Sequence, residues 1–303
     1  MIDIKQILCP IDFSEFSRHA LDYAVGMARW YGASLRLLHV HHVLPVASTV
    51  PEMIPSMALT PACHQQLLRS LEGIAANAGA DAVALTLEVA EGLPAHEIVR
   101  AARQADVDLV VVGTHGRSGF AHLVLGSVAE RVLRTASCPV LTIPRRFPDA
   151  APVGPLFKRI LCAVDFSLCS MRALKYATSL AQEADAQLTI AHVFELEGAL
   201  PLEWRDTLTP GFIRGELLKM EGERREHLAR AVPDAVREFC RVDTVMTSGT
   251  PYREVLRLAE ETGAELIVLG VHGRNPVDLA FFGSTANHVV RQARCPVLTV
   301  RST

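Results

Sequence analysis

The segment Ile7-Leu-Cys-Pro-Ile-Asp12-Phe-Ser14 returns as Ile160-Leu-Cys-Ala-Val-Asp165-Phe-Ser167, an offset of 165 − 12 = 153. The offset holds at Ala20/Ala173, Leu21/Leu174, Tyr23/Tyr176 and His39/His192. It then becomes 157, as in Gly92/Gly249, Pro94/Pro251, Gly113/Gly270, Gly116/Gly273, Gly126/Gly283 and Cys138/Cys295. Register kept this long means two copies of one domain, and a period near 150 residues is a tandem duplication, far longer than a solenoid repeat. Pro144, Pro148, Pro152, Gly154 and Pro155 mark a stiff, extended joint between the copies. The expected domains are 1–148 and 156–303.

Each copy alternates strand and helix. In the first, residues 4–9 form an apolar run, and 15–31 carry apolar residues at helical spacing, with Ser14 placed as N-cap (Ser167 in the second copy). Strands are predicted at 35–42, 83–90, 109–112 and 139–143, and helices at 60–78, 94–104 and 126–135. Short apolar strands alternating with helices predict a doubly wound α/β fold. Each copy would hold a five-stranded parallel sheet, with ligands at the carboxyl ends of its strands.

Half of the 303 residues are apolar and 21% are charged, enough to build packed cores. Thirty basic against 33 acidic residues give a net charge of −3, without the basic excess that nucleic-acid binding needs. Neither a signal peptide nor a membrane-length apolar run is evident, so a cytoplasmic protein with no membrane partner is expected. Seven cysteines without CxxC spacing read as reduced thiols, Cys9, Cys138, Cys162 and Cys295 in or beside apolar strands. The region from Glu216 to Arg230 reads as an exposed, charge-dense helix.

The segment with most chemical content runs Gly113-Thr-His115-Gly116-Arg117, then on to Gly126-Ser127-Val128. Its copy is Gly270-Val-His-Gly273, on to Gly283-Ser284. Both have the spacing glycine, two residues, glycine, nine residues, Gly-Ser. Glycines let backbone N–H groups approach a phosphate, and the Gly-Ser opens a helix whose free N–H groups attract an anion. Strand-to-helix turns also favour glycine; two copies at one spacing, each after an apolar strand, favour phosphate. The pattern is neither a P-loop nor a dinucleotide fingerprint. Neither loop holds a lysine, and only Lys5, Lys158, Lys175 and Lys219 occur in the chain, so fast phosphoryl transfer is not expected.

Four motifs together resemble the universal stress protein family over both halves. They are Cys-Pro10-Ile11-Asp12-Phe-Ser, Leu-His39-Val40, the glycine loop, and Ser-Cys138-Pro139-Val-Leu-Thr. The resemblance implies an adenine nucleotide α-hydrolase-like fold and ATP with a divalent cation, Mg2+ or Mn2+. Pro10, Ile11, Asp12 and Val40 would then frame the base, and Gly113, Gly116, Gly126, Ser127 and Val128 the ribose and phosphates, with His115 and Arg117 in the loop. Asp165, Val193, Gly270, Gly273, Gly283 and Ser284 are the matching positions in the second half. Asp12 is also open to a plain reading, as an aspartate at the start of a helix. The family's strand pairing further implies an internal pseudo-dimer and a homodimer.

The second half departs from this pattern: Ala163 stands for Pro10, Pro276 and Asp278 enter the loop, and Phe281-Phe282 replace Val124-Leu125. Nucleotide is therefore expected mainly in the first half. The function implied is a nucleotide-dependent stress sensor or regulator with at most slow hydrolysis. Its alternatives are an ATP-cleaving enzyme of the α-hydrolase type and a scaffold or non-nucleotide binder acting through the second half. No Ser/His/Asp or paired-carboxylate spacing marks a catalytic site. His39 and His41, with His42 and Cys63-His64, pose a zinc question that spacing alone leaves to satisfied or exposed histidines.

Overall fold

A computed structural model describes residues 2–42, 59–116, 125–144, 156–194, 219, 222–228, 230–232, 234–273 and 282–302. The chain divides into two compact units, Asp3–Leu156 and Phe157–Ser302, the latter with Ile2.

The first unit runs β1 (Gln6–Pro10), α1 (Glu15–Tyr31), β2 (Ser34–His42), α2 (Pro61–Asn77), a 3-10 turn (Ala80–Ala82), β3 (Leu85–Gly92), α3 (Pro94–Gln104), β4 (Leu109–Gly113), α4 (Ser127–Thr135) and β5 (Val140–Ile143). The strands are parallel, in the order β3-β2-β1-β4-β5. The second unit runs β6 (Arg159–Ala163), α5 (Leu168–Ala184), β7 (Gln187–Phe194), α6 (Asp234–Phe239), β8 (Val242–Ser248), α7 (Pro251–Glu261), β9 (Leu266–Gly270), α8 (Ser284–Gln292) and β10 (Val297–Val300). Its parallel order is β8-β7-β6-β9-β10.

The element ends have local causes. Ser14 caps α1 by accepting from the Ser17 N–H at 3.2 Å, and Ser167 does the same for α5 from Ser170. Helix α2 starts after Thr60, whose hydroxyl accepts from the Cys63 N–H. Gly126 is likewise the N-cap of α4, lying just outside it. Helix α1 ends on Gly32 at φ 62°, where the second copy uses Asp185 at φ 47°, a left-handed position that short polar side chains tolerate. Ile4 is buried but outside the strand ladder, so β1 begins later than its apolar run.

Burial follows the layers. Every residue of β4, β5 and β10 is buried, as continuous apolar runs in a sheet covered on both faces should be. Helices α1 and α5 bury Ala20, Leu21 and Ala24, and Ala173, Leu174 and Ala177, on one face. Cys9 and Cys162 are fully buried in β1 and β6, and desolvation pushes both thiols far above their usual range. Cys138 and Cys295 lie in the turns before β5 and β10, and burial raises them to about 11 and about 12. All seven cysteines are free. Within the charge-dense segment, 222–228 is helical, and Arg230 pairs with Glu226 at 3.0 Å. Among the described residues no helix is long and apolar enough to cross a membrane.

Candidate functional site

In each unit the strand order reverses beside the first strand. The neighbours β1 and β4, or β6 and β9, send their following helices to opposite faces and leave a crevice at their carboxyl ends, the usual ligand position of an open α/β sheet.

Asp12 stands at the end of β1. Its Oδ1 accepts from the Ser14 N–H at 3.0 Å and from the Ser14 hydroxyl at 2.5 Å. Asp165 repeats this with Ser167, at 3.0 and 2.6 Å. The aspartate therefore ties down the capping serine, while the serine itself caps the helix. Between them Phe13 and Phe166 both have φ 65°, a left-handed conformation unusual for a bulky residue. The Phe13 ring lies 4.6 Å from the His39 ring, and Phe166 lies 4.8 Å from His192.

His39 and His192 come from the ends of β2 and β7, and both are buried. Nδ1 of His39 lies 2.7 Å from the Ile11 carbonyl oxygen, and that of His192 lies 2.6 Å from Val164 O. A carbonyl can only accept, so Nδ1 carries the proton in both rings. These histidines hold the β1 and β6 exits in place. Val40 and Val193 follow with their side chains on the opposite face.

The glycine segment leaves β4 beside Asp12. A β-carbon on Gly116 would stand 2.8 Å from Asp12 Oδ2, and one on Gly273 2.9 Å from Asp165 Oδ2. Gly113 serves a different purpose. A β-carbon there would meet the Phe16 carbonyl oxygen at 2.9 Å, and on Gly270 the Ser170 nitrogen at 2.7 Å. Those glycines let α1 and α5 pack against the strand ends. Gly126 N–H donates to Thr114 O at 2.8 Å, and Gly283 N–H to Val271 O at 2.9 Å, which closes the base of each loop. No side chain caps α4 or α8 at Gly126 or Gly283, so the first-turn N–H groups, with Ser127 and Val128 or Ser284 and Thr285, face the crevice end.

His115 Nδ1 meets the Thr114 hydroxyl at 3.0 Å, and that hydroxyl donates to Ile143 O at 3.2 Å. In the second half His272 Nε2 instead lies 3.2 Å from Nη1 of Arg301. A guanidinium can only donate, so His272 Nε2 is the acceptor of that contact. The two histidines thus make different contacts at the ends of β4 and β9.

In the second unit all six candidate positions, Asp165, Val193, Gly270, Gly273, Gly283 and Ser284, line one cavity of about 280 Å³. Helix α7 adds Pro251 and Val255, and α8 adds Thr285 and Ala286. In the first unit Pro10, Ile11, Asp12, Val40, Gly113, His115, Gly116, Gly126, Ser127 and Val128 occupy the corresponding strand and helix ends. Arg117 lies outside the described residues, as do Pro276, Asp278 and Phe281. Among the described residues no group of three or more His, Cys, Asp or Glu side chains is arranged to hold a metal ion. The His39 ring is committed to Ile11 O, and Cys63-His64 sit in the first turn of α2.

Sequence reasoning missed the left-handed Phe13 and Phe166 and the bracing role of His39 and His192. The signal was present, since Asp-Phe-Ser and His-Val recur unchanged in both halves. It also missed the role of the Thr114 hydroxyl, which lies inside the glycine motif, and Arg301, which no spacing connects to the loop.

Comparison with known proteins finds relatives over both halves of the chain. Over its full length the chain is similar to a universal stress protein of Mycobacterium tuberculosis, 26% identical with 97% of this chain and 94% of the relative covered. One of Methanocaldococcus jannaschii is 34% identical over 143 residues, 46% of this chain and 82% of the relative. The crystal structure of a universal stress protein from Archaeoglobus fulgidus superposes with a TM-score of 0.65 at 26% identity, covering 99% and 97% of the two chains. The model of the universal stress protein family matches residues 3–144 and again 156–301. With both halves matched nearly end to end, the chain belongs to the universal stress protein family.

Proposed function

We propose that the chain binds ATP in the β1/β4 crevice of its first half and acts as a nucleotide-dependent regulator rather than a fast enzyme. The observation that carries this reading is the union of two features at the switch point. One is an aspartate held by its own capping serine. The other is a glycine segment closed at its base that leads into an uncapped helix start. The helix start supplies N–H donors and positive potential for phosphates. The strand ends around Pro10, Ile11 and Val40 supply an apolar seat for a base, and Asp12 supplies an acceptor for an adenine or ribose donor.

A Mg2+ or Mn2+ ion fits this arrangement only as a companion of the phosphates. No cluster of protein ligands awaits it among the described residues, and such ions commonly ride on phosphate oxygens and water. The chain's own contribution is to hold and orient the nucleotide. No lysine occurs in either glycine loop, so slow turnover is the expected chemistry.

The test is calorimetric titration of the full chain with ATP and Mg2+, together with a multiple-turnover ATPase assay. Saturable binding that Gly116→Val abolishes in the first half, with turnover well below one per second, supports the reading. Purified protein that neither carries nor binds adenine nucleotide overturns it, and rapid turnover returns the α-hydrolase enzyme alternative. Homodimerisation, which the family likeness implies, is read separately by sedimentation.

A further inference from the structure

We infer that the two crevices have diverged in ligand size, the second half being shaped for an adenine nucleotide enlarged on its base. This rests on the nucleotide reading above and goes beyond it. The decisive place is the last rung between the first two strands of each sheet. In the first half Pro10 of β1 is the register partner of Leu38 of β2. In the second half the same rung pairs Ala163 with Ala191. Register partners in a parallel pair point to the same face, and both alanines line the cavity of about 280 Å³.

The exchange of proline and leucine for two alanines removes five side-chain carbons from one wall of the crevice. Two more positions move the same way, Ile11 to Val164 and Ile98 to Val255, and both valines line the cavity. One position opposes the trend, Val112 becoming Leu269. By these substitutions the second crevice carries less side-chain volume and an apolar wall at the end where the base is seated in the nucleotide reading. In the first half the larger side chains of Pro10 and Leu38, both buried, stand at that rung. Alanine and valine side chains offer no hydrogen-bonding group, so the added volume suits an apolar or aromatic extension. A hydrophobic pocket gains affinity for each group it can bury and excludes those it cannot.

The experiment titrates the full chain with ATP, N6-benzyl-ATP and 1,N6-etheno-ATP, each with Mg2+. At least one enlarged nucleotide is expected to bind at one equivalent per chain. Ala191→Leu, alone or with Ala163→Pro, should weaken that binding at least tenfold and leave ATP binding in the first half unchanged. The reverse carving, Pro10→Ala with Leu38→Ala, should add a second equivalent of the enlarged nucleotide, so the test survives a refilled variant that folds poorly. ATP binding with no binding of either enlarged analogue overturns this inference and leaves the nucleotide reading standing. Binding of the analogues at two equivalents, or binding insensitive to Ala191→Leu, overturns it as well. No binding of any nucleotide overturns both.

Discussion

Asp12 and Gly116 are fitted to each other across the ends of β1 and β4: a β-carbon on the glycine would lie 2.8 Å from Oδ2 of the aspartate. The carboxylate cannot simply swing away, because Oδ1 accepts two hydrogen bonds from Ser14. Gly116→Ala should therefore force Asp12 out of its turn. The expected result is loss of ATP affinity by tenfold or more, measured by calorimetry, with destabilisation of about 1–3 kcal/mol from overpacking. Gly273→Ala should do the same to the second half through Asp165.

Gly113→Ala has a different expected signature. The new methyl would meet backbone, the Phe16 carbonyl oxygen at 2.9 Å, so relief requires moving the start of α1. Stability should fall by about 1–3 kcal/mol, read by urea unfolding, with or without nucleotide present.

Phe13 offers a test of stored backbone strain. At φ 65° an alanine keeps the conformational penalty and loses the ring contact with His39, whereas a glycine loses the contact but not the conformation. Phe13→Gly should thus be more stable than Phe13→Ala by about 1 kcal/mol, the reverse of the ordinary order. Equal stabilities in denaturant unfolding would refute the strain.

Ser14 serves two partners, capping α1 and donating to Asp12. Ser14→Ala should cost about 1–2 kcal/mol as a lost cap, and Ser167→Ala a similar amount in the second half. Chemical unfolding of each variant checks this.

Acid stability should depend on Glu97 and Glu254. Burial raises the Glu97 carboxyl, but hydrogen bonds from Arg100 and His96 outweigh it and hold the group below its ordinary value of 4.5. Hydrogen bonds from Arg257 and Thr247 hold Glu254 low as well. A carboxyl held low in the folded state stabilises at pH above about 4.5, and that stability is lost as pH falls through the folded value. Glu97→Gln with Glu254→Gln should lower stability at neutral pH and flatten the acid limb of the stability–pH curve.

Legibility divided along physical lines. The caps at Ser14 and Ser167 were readable because a cap is a contact across three residues, whereas Thr60, expected inside its helix, proved to be the N-cap. Helices 15–31 and 94–104 were readable to the residue from apolar spacing and, in the latter, a leading proline. The glycine loops were noticed through their spacing, but not what each glycine is for. Gly113 admits a helix, Gly116 admits a carboxylate, and Gly126 closes the loop, and these neighbours are remote in sequence. Spacing favoured a satisfied or exposed histidine over a metal ligand at His39 but could not name its partner, because only the fold presents Ile11 O to its ring.

By itself the sequence determined that one α/β unit is present twice, with its alternation of elements and its family, since repetition and periodicity are properties of the chain order. Only the tertiary structure decided the strand order, which sets β1 beside β4 and makes a crevice of two distant strand ends. Only it paired Pro10 with Leu38 and Ala163 with Ala191, because cross-strand register is chosen by packing of the whole sheet. The size of a binding pocket is a sum over such pairs, and no local pattern records it.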